Sequence, residues 1–357
     1  MPGRRTPADA EDAEVGETPY LRLDVAILGS NIAAMARHAS ASGLVLRPHA
    51  KTHKCPQIAA RQLAAGAVGL TVATIGEAEV FAANGMTDLF IAFPLWVDAS
   101  DAARLRKLAD AGVRLAVGCD SIEAGTNLRE LPLDVLVEVD SGHHRSGVTP
   151  SAAGELASGL AGLGLRVRGV FTFPGHSYAP GSGRSAAVQE AAALGEAAAT
   201  MTAAGVPPEV VSGGSTPSAA YTHAGPATEL RPGVYVFGDA QQVELGTIGF
   251  EEVALTVASR VVSHAGGRVI ADAGSKALGA DRAPWASGYG RVLDAPDARI
   301  VALSEHHATI EWPGALPPLG SPILVVPNHV CNAVNLADEY VLTSGGRWPV
   351  AARGRNH

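Results

Sequence analysis

The sequence is short of aromatic residues (5%) and of charge (17%), and it has only three cysteines in 357 residues. It also lacks an apolar run of the roughly 18 residues that a membrane helix needs, because its alanine-rich stretches are broken by Arg, Glu, Asp or Gly. Each shortage excludes something. Cys55, Cys119 and Cys331 are odd in number and far apart, so no disulfide framework is expected. There is no dense Lys/Arg stripe, and 27 Lys+Arg against 35 Asp+Glu give a net charge of −8, which argues against nucleic acid as a partner. The opening MPGRRTPADAEDAEVGE turns acidic after two arginines and has no apolar core, so no signal peptide and a cytoplasmic location are expected. What the chain has in quantity is 47% hydrophobic residues, 41 Gly, 23 Pro and 12 His. That is enough apolar material for a large core and excludes extensive disorder.

The apolar residues fall into a repeat of strand-like run and alanine-rich amphipathic stretch. Strand candidates begin at Leu44, Gly69, Asp88, Val113, Leu133, Leu165, Glu209 and Glu229. The helical stretches between them mostly open on Ser, Thr, Asp or Pro, and several close on Gly. Eight such units predict an α/β fold with a (β/α)8 TIM-type barrel, a doubly wound open sheet being the competing arrangement. Beyond about residue 250, runs such as VALTVASRVVSH and SPILVVPNHVC follow one another with Gly/Pro turns and no helices, which predicts an antiparallel β-domain. The expected division is therefore 1–20 as a tail or a strand joining the β-domain, 21–250 as the barrel and 251–357 as the β-domain.

Polar residues at the C-terminal ends of barrel strands face the mouth where active sites form. The first strand ends in RPHAKTHK, where Lys51 is placed to form a Schiff base if burial lowers its pKa. A solvated basic loop is the plain alternative. The fifth strand ends in VEVDSGHHRSGV, where Arg145 either tunes an aromatic ring or pairs with Asp140. The seventh ends in SGGSTPS, and Gly214, Ser215 and Thr216 at a helix start offer a phosphate cradle or an ordinary N-cap. In PNHVC, an extended segment would turn His329 and Cys331 to one face as an open metal pair. The alternative is a buried thiol beside a satisfied imidazole.

Taken together and in order, RPHAKTHK, VEVDSGHHRSGV, VFTFPGHSY, SGGSTPS, ELRPGVYVFGD, DAGSKALGAD and PNHVCNAVNL resemble the D-threonine aldolase and D-serine dehydratase family of pyridoxal-phosphate enzymes. The resemblance runs from about residue 18 nearly to the C-terminus. It implies an alanine-racemase-like fold, the barrel plus β-domain of the type III pyridoxal-phosphate enzymes. It also implies a homodimer whose active site lies between one barrel and the partner's β-domain. Lys51 matches the lysine that holds pyridoxal 5'-phosphate, Arg145 the arginine near its phenolic oxygen, and Gly214, Ser215 and Thr216 the phosphate turn. Tyr178 and Tyr235 match aromatic positions around the cofactor, and His329 and Cys331 match a pair of ligands for a divalent metal (Zn, Mn or Mg). The implied substrates are small D-3-hydroxy amino acids.

Two outcomes are open for such a lyase. Retro-aldol cleavage to glycine and an aldehyde is the first reading. Dehydration to a 2-oxo acid and ammonia is the alternative. In the loop PGHSY this chain has Ala179-Pro180 where aldolases of this kind carry a histidine, so His176 stands as the replacement base or as a phosphate contact. A racemase would need an opposed tyrosine, with Tyr289 and Tyr340 as candidates. A non-catalytic pyridoxal-phosphate-binding barrel would not need the last hundred residues.

Overall fold

A computed structural model describes residues 17–223 and 225–357. The part of the 1–20 expectation that concerns residues 1–16 lies outside them. All eight predicted runs form the parallel strands of one sheet: Val45–Leu46, Leu70–Val72, Asp88–Pro94, Arg114–Cys119, Asp134–Glu138, Arg166–Phe171, Val210–Gly213 and Glu229–Leu230. Neighbours in the sheet follow chain order, except that the first strand pairs with the last. The remaining gap, between the first two strands, is bridged at His49 and Thr71, where Val68 N donates to Leu46 O and Thr71 N to Pro48 O, both at 2.9 Å. The sheet thereby closes into the predicted barrel.

The local reasons are ordinary ones. The strands are apolar on both faces because helices cover the outside, and Phe90, Ala116, Leu136 and Phe171 pack together as a buried cluster. Helices start where a side chain caps them: Thr74, Asp98 and Ser121 accept from Glu77, Asp101 and Ala124 N–H groups. The seam between first and last strands is fixed by buried Arg47, whose guanidinium bridges Asp88 and Glu229 at 2.7 Å each.

A second, nine-stranded and almost wholly antiparallel sheet is built from the C-terminal region. One of its inner strands is Tyr20–Leu23, which lies antiparallel to Leu255–Ser263 and parallel to Glu339–Leu342. The two compact units accordingly comprise residues 32–235 with 354–357, and 17–31 with 236–353. The last residues return to the barrel unit. There Thr74 Oγ1 donates to Arg355 O at 2.6 Å, Gly76 N to His357 O at 2.9 Å, and Lys54 Nζ to Asn356 Oδ1 at 3.0 Å. Helix Val25–Ala41 and strand Gly290–Val292 are elements the sequence pattern did not single out. No helix among the described residues is long and apolar enough to cross a membrane.

Candidate active site

In the barrel unit, the ends of the first, fifth and sixth strands meet around one aromatic ring, that of Phe173. Lys51, on the 3-10 turn Ala50–Thr52 after the first strand, holds its Nζ 5.8 Å from the ring centroid. The Arg145 guanidinium lies 5.3 Å from the same centroid and 3.9 Å from Glu138. The Tyr178 ring is 6.2 Å away and the His143 ring approaches edge-on at 5.6 Å. Phe173 stands in the quoted VFTFPGHSY motif, yet nothing in that motif alone distinguishes it from a packing residue.

Two histidines belong to this region, His49 half-buried and His53 fully buried. His49 is held well below its ordinary pKa by burial first, and then by the positive charges of Lys51, Arg231, His53 and Arg145. Its Nδ1 is buried and has no protein partner. His53 is lowered to about 4 by burial. Its Nδ1 accepts the Cys55 N–H at 3.1 Å, so Nε2 carries the proton and donates to Gln62 Oε1 at 3.2 Å. Gln62 Nε2 then donates to the Tyr235 hydroxyl at 3.0 Å. Tyr235 is thus buried among barrel-wall groups, while its backbone N–H donates to Thr216 Oγ1 at 3.1 Å.

The loops after the fifth and sixth strands interlock through two glycines. A Cβ on Gly175 would lie 2.5 Å from the His143 ring, and one on Gly142 (φ +118°) would lie 3.3 Å from His176. His176 Nε2 is hydrogen-bonded to Gln189 Oε1 at 2.8 Å, and its Nδ1, like that of His49, is a buried atom without a protein partner. His143 is half-buried, and its pKa is lowered by burial and by Arg145 and His176.

The SGGSTPS run turns at Gly214 (φ +89°) into the short helix Thr216–Ala219, with Ser215 as N-cap in a reciprocal box with Ser218. Ser177 and Ser215 hydroxyls lie 2.8 Å apart, and the Gly214 N–H is taken by Glu190. Buried Arg231 lies against the Phe90 and Phe171 rings and donates to Ser212 Oγ and Thr172 O. An amine at a strand end, a guanidinium sharing its aromatic neighbour, a hydroxyl-lined turn and the orphan His49 Nδ1 are a set that fits pyridoxal phosphate.

In the other unit, the PNHVC segment is not extended throughout. The strand Pro322–Pro327 ends at the segment's first residue, His329 is the N-cap, and Cys331 lies in helix Val330–Leu336. The alternation argument for a shared face therefore fails, but the two side chains still meet through a hydrogen bond. Burial works against protonation of His329, and Cys331, Asp281 and Asp239 outweigh it and raise its pKa. Asp281 accepts from His329 Nδ1. Buried Asp239 accepts from Gln242 N at 2.9 Å and Val330 N at 3.1 Å, and burial raises its pKa to about 6. Both aspartates close motifs quoted above, ELRPGVYVFGD and DAGSKALGAD, but the sequence did not single them out as partners of His329. Among the described residues no group of three or more His, Cys, Asp or Glu converges as a ligand set. A softer donor pair with an anchored imidazole fits a divalent metal whose other positions stay open. Tyr340, one racemase candidate, is wholly buried against Phe237, and Tyr289 is covered by the Arg282 guanidinium at 4.9 Å.

Comparison with known proteins accounts for both units. Residues 23–241 match the alanine racemase N-terminal domain, and residues 254–343 match a serine dehydratase domain. The chain is 36% identical to D-threo-3-hydroxyaspartate dehydratase of Delftia sp. strain HT23, over 88% of this chain and 91% of that one. It is 33% identical to D-threonine aldolase of Arthrobacter sp., over 95% and 93%. The solved metal-free form of a cysteine-to-alanine mutant of D-threo-3-hydroxyaspartate dehydratase superposes with a TM-score of 0.87 at 32% identity, covering 94% of this chain and 97% of that one. A histidine-to-alanine mutant of the same enzyme is also similar, and the two mutated positions are two residues apart, the spacing of His329 and Cys331. The chain therefore belongs to the alanine-racemase-fold family of lyases that join an alanine racemase N-terminal domain to a serine dehydratase domain, with D-threo-3-hydroxyaspartate dehydratase and D-threonine aldolase among its members.

Proposed function

We propose that this chain is a pyridoxal-phosphate- and divalent-metal-dependent lyase acting on D-3-hydroxy amino acids, working as a cytoplasmic homodimer. The observation that carries the reading is the convergence of Lys51 and Arg145 on the Phe173 ring, at 5.8 and 5.3 Å. Lys51, Arg145, Tyr178 and the Gly214–Thr216 turn hold the cofactor, and Tyr235 braces Thr216 from behind. Bound pyridoxal phosphate supplies an electron sink for negative charge at the substrate's Cα. A divalent metal on His329 and Cys331 supplies Lewis acidity toward the β-hydroxyl, and an imidazole with a thiolate suits zinc better than manganese or magnesium.

Within this class the geometry supports dehydration over the aldol cleavage that the sequence favoured. Dehydration asks the chain for one base at Cα, and Lys51 Nζ is the group for it. Cleavage asks for a base on the hydroxyl, and His176 is tied to Gln189 through Nε2 with Nδ1 buried. Cleavage remains the second reading because of His143. Its imidazole edges the Phe173 ring, and its lowered pKa keeps it neutral and basic at pH 7. Incubation with D-threonine and with D-threo-3-hydroxyaspartate tests both. Ammonia with a 2-oxo acid is the expected result. Glycine with an aldehyde or glyoxylate would establish cleavage instead, and turnover of neither substrate class would overturn the proposal.

A further inference from the structure

Glu190 has no part in the reading above, yet it is 2% exposed and lies directly behind the phosphate turn. It comes from the middle of helix Gly183–Ala203, and its Oε1 accepts the Gly214 N–H. The glycine pair is shaped by this approach. A Cβ on Gly213 would fall 2.4 Å from Glu190 Oε1, and one on Gly214 would fall 2.2 Å from Leu230 Cδ1. Gly213 makes room for the carboxyl, and Gly214 makes the left-handed turn against Leu230. The carboxyl's second oxygen, Oε2, is buried and has no partner.

We propose that Glu190 is a positioning residue that sets the phosphate turn as a neutral carboxylic acid, so that anion binding at Gly214–Thr216 is coupled to the Glu190 proton. An ionised carboxylate without a paired cation is expensive in a buried site. Among the described residues, the charged side chain whose field reaches Glu190 is Arg231, and its guanidinium is committed to Ser212 and Thr172. A carboxylic acid resolves the problem: Oε1 accepts from Gly214 while the proton sits on Oε2. Burial pushes the Glu190 pKa up to about 7, which agrees with this geometry. A phosphate dianion entering the turn would repel the ionised form, so bound anion and bound proton favour each other.

The inference rests on the pyridoxal-phosphate reading for the identity of the anion, and its test separates the two. Wild-type enzyme and the Glu190→Gln and Glu190→Ala variants are titrated between pH 6 and 8.5 with pyridoxal phosphate and with sulfate, which has no titratable proton in that range. Wild-type affinity for sulfate should fall roughly tenfold across the range, following a linkage of about one proton. Glu190→Gln keeps a neutral acceptor for Gly214 and should bind with a clearly flatter pH dependence. Glu190→Ala should bind more weakly at every pH, since the Gly214 N–H loses its partner. Calorimetry on the wild type in buffers of different ionisation enthalpy gives a second readout, with proton uptake on sulfate binding at pH 7.5. A Glu190→Gln variant with the wild-type pH dependence, or wild-type binding without proton uptake, would overturn the proposal. Failure of pyridoxal phosphate to add to Lys51 would instead sink the functional reading, with the sulfate arm still deciding on Glu190.

Discussion

The Asp281 carboxylate accepts a hydrogen bond from His329 Nδ1. This fixes the ring's orientation and tautomer, leaving Nε2 as the nitrogen available to a metal. Partners of this kind typically alter metal affinity by about 10–100-fold when removed. Asp281→Ala should weaken zinc binding by that order in a chelator competition while leaving the cofactor's absorption band intact. A variant with unchanged metal affinity would show that Asp281 does not support the ligand.

Phe173 gives Lys51 and Arg145 a shared aromatic neighbour, and contacts of this type contribute about 0.5–2 kcal/mol each. Phe173→Ala should weaken pyridoxal-phosphate binding by about tenfold or more, and Phe173→Trp should recover most of the loss. Lys51→Ala should abolish the yellow absorption and the cofactor adduct left on the protein after borohydride reduction. A covalent adduct that survives in Lys51→Ala would remove the lysine assignment.

His53 predicts how stability responds to acid. Its folded-state pKa is lowered from 6.5 to about 4, with burial as the main cause. Folded protein then resists a proton that unfolded chain accepts, so the contribution is intact above pH 6.5 and is lost as the pH falls toward 4. The shift corresponds to about 3 kcal/mol. Urea denaturation from pH 7 to 4 should show a loss of that order, and an imidazole titrating at its ordinary pKa by NMR would contradict it.

A homodimer is expected from light scattering at micromolar concentration. Removing metal with EDTA should abolish turnover without dissociating the dimer, and adding back zinc should restore it. Full activity in excess EDTA would rule out the metal's role.

The barrel was readable in the sequence because parallel strands buried on both faces are written as continuous apolar runs, such as DLFIAFP and DVLVE. What could not be read were choices of distant partner. Nothing near Gly213 announces that Glu190 fills the space its missing side chain leaves, and nothing near His329 announces Asp281. The PNHVC segment misled locally. Its apolar run looks like a strand continuing to Cys331, but the helix begins at Val330 behind an N-cap that makes no side-chain cap bond. The hydrogen-bond partner of His176, Gln189, likewise lies on the following helix, beyond the loop that defines the motif.

The placement of strand Tyr20–Leu23 between Leu255–Ser263 and Glu339–Leu342, and of Gly354–His357 on the barrel unit, also bears on how the protein can be dissected. A single cut near residue 235 leaves each unit without one of its segments. A barrel ended near residue 235 lacks the segment that meets Lys54 and Thr74, and a β-fragment begun at 236 has a gap inside its sheet. An excised β-unit must therefore carry strand Tyr20–Leu23 with it, and an excised barrel unit must carry Gly354–His357.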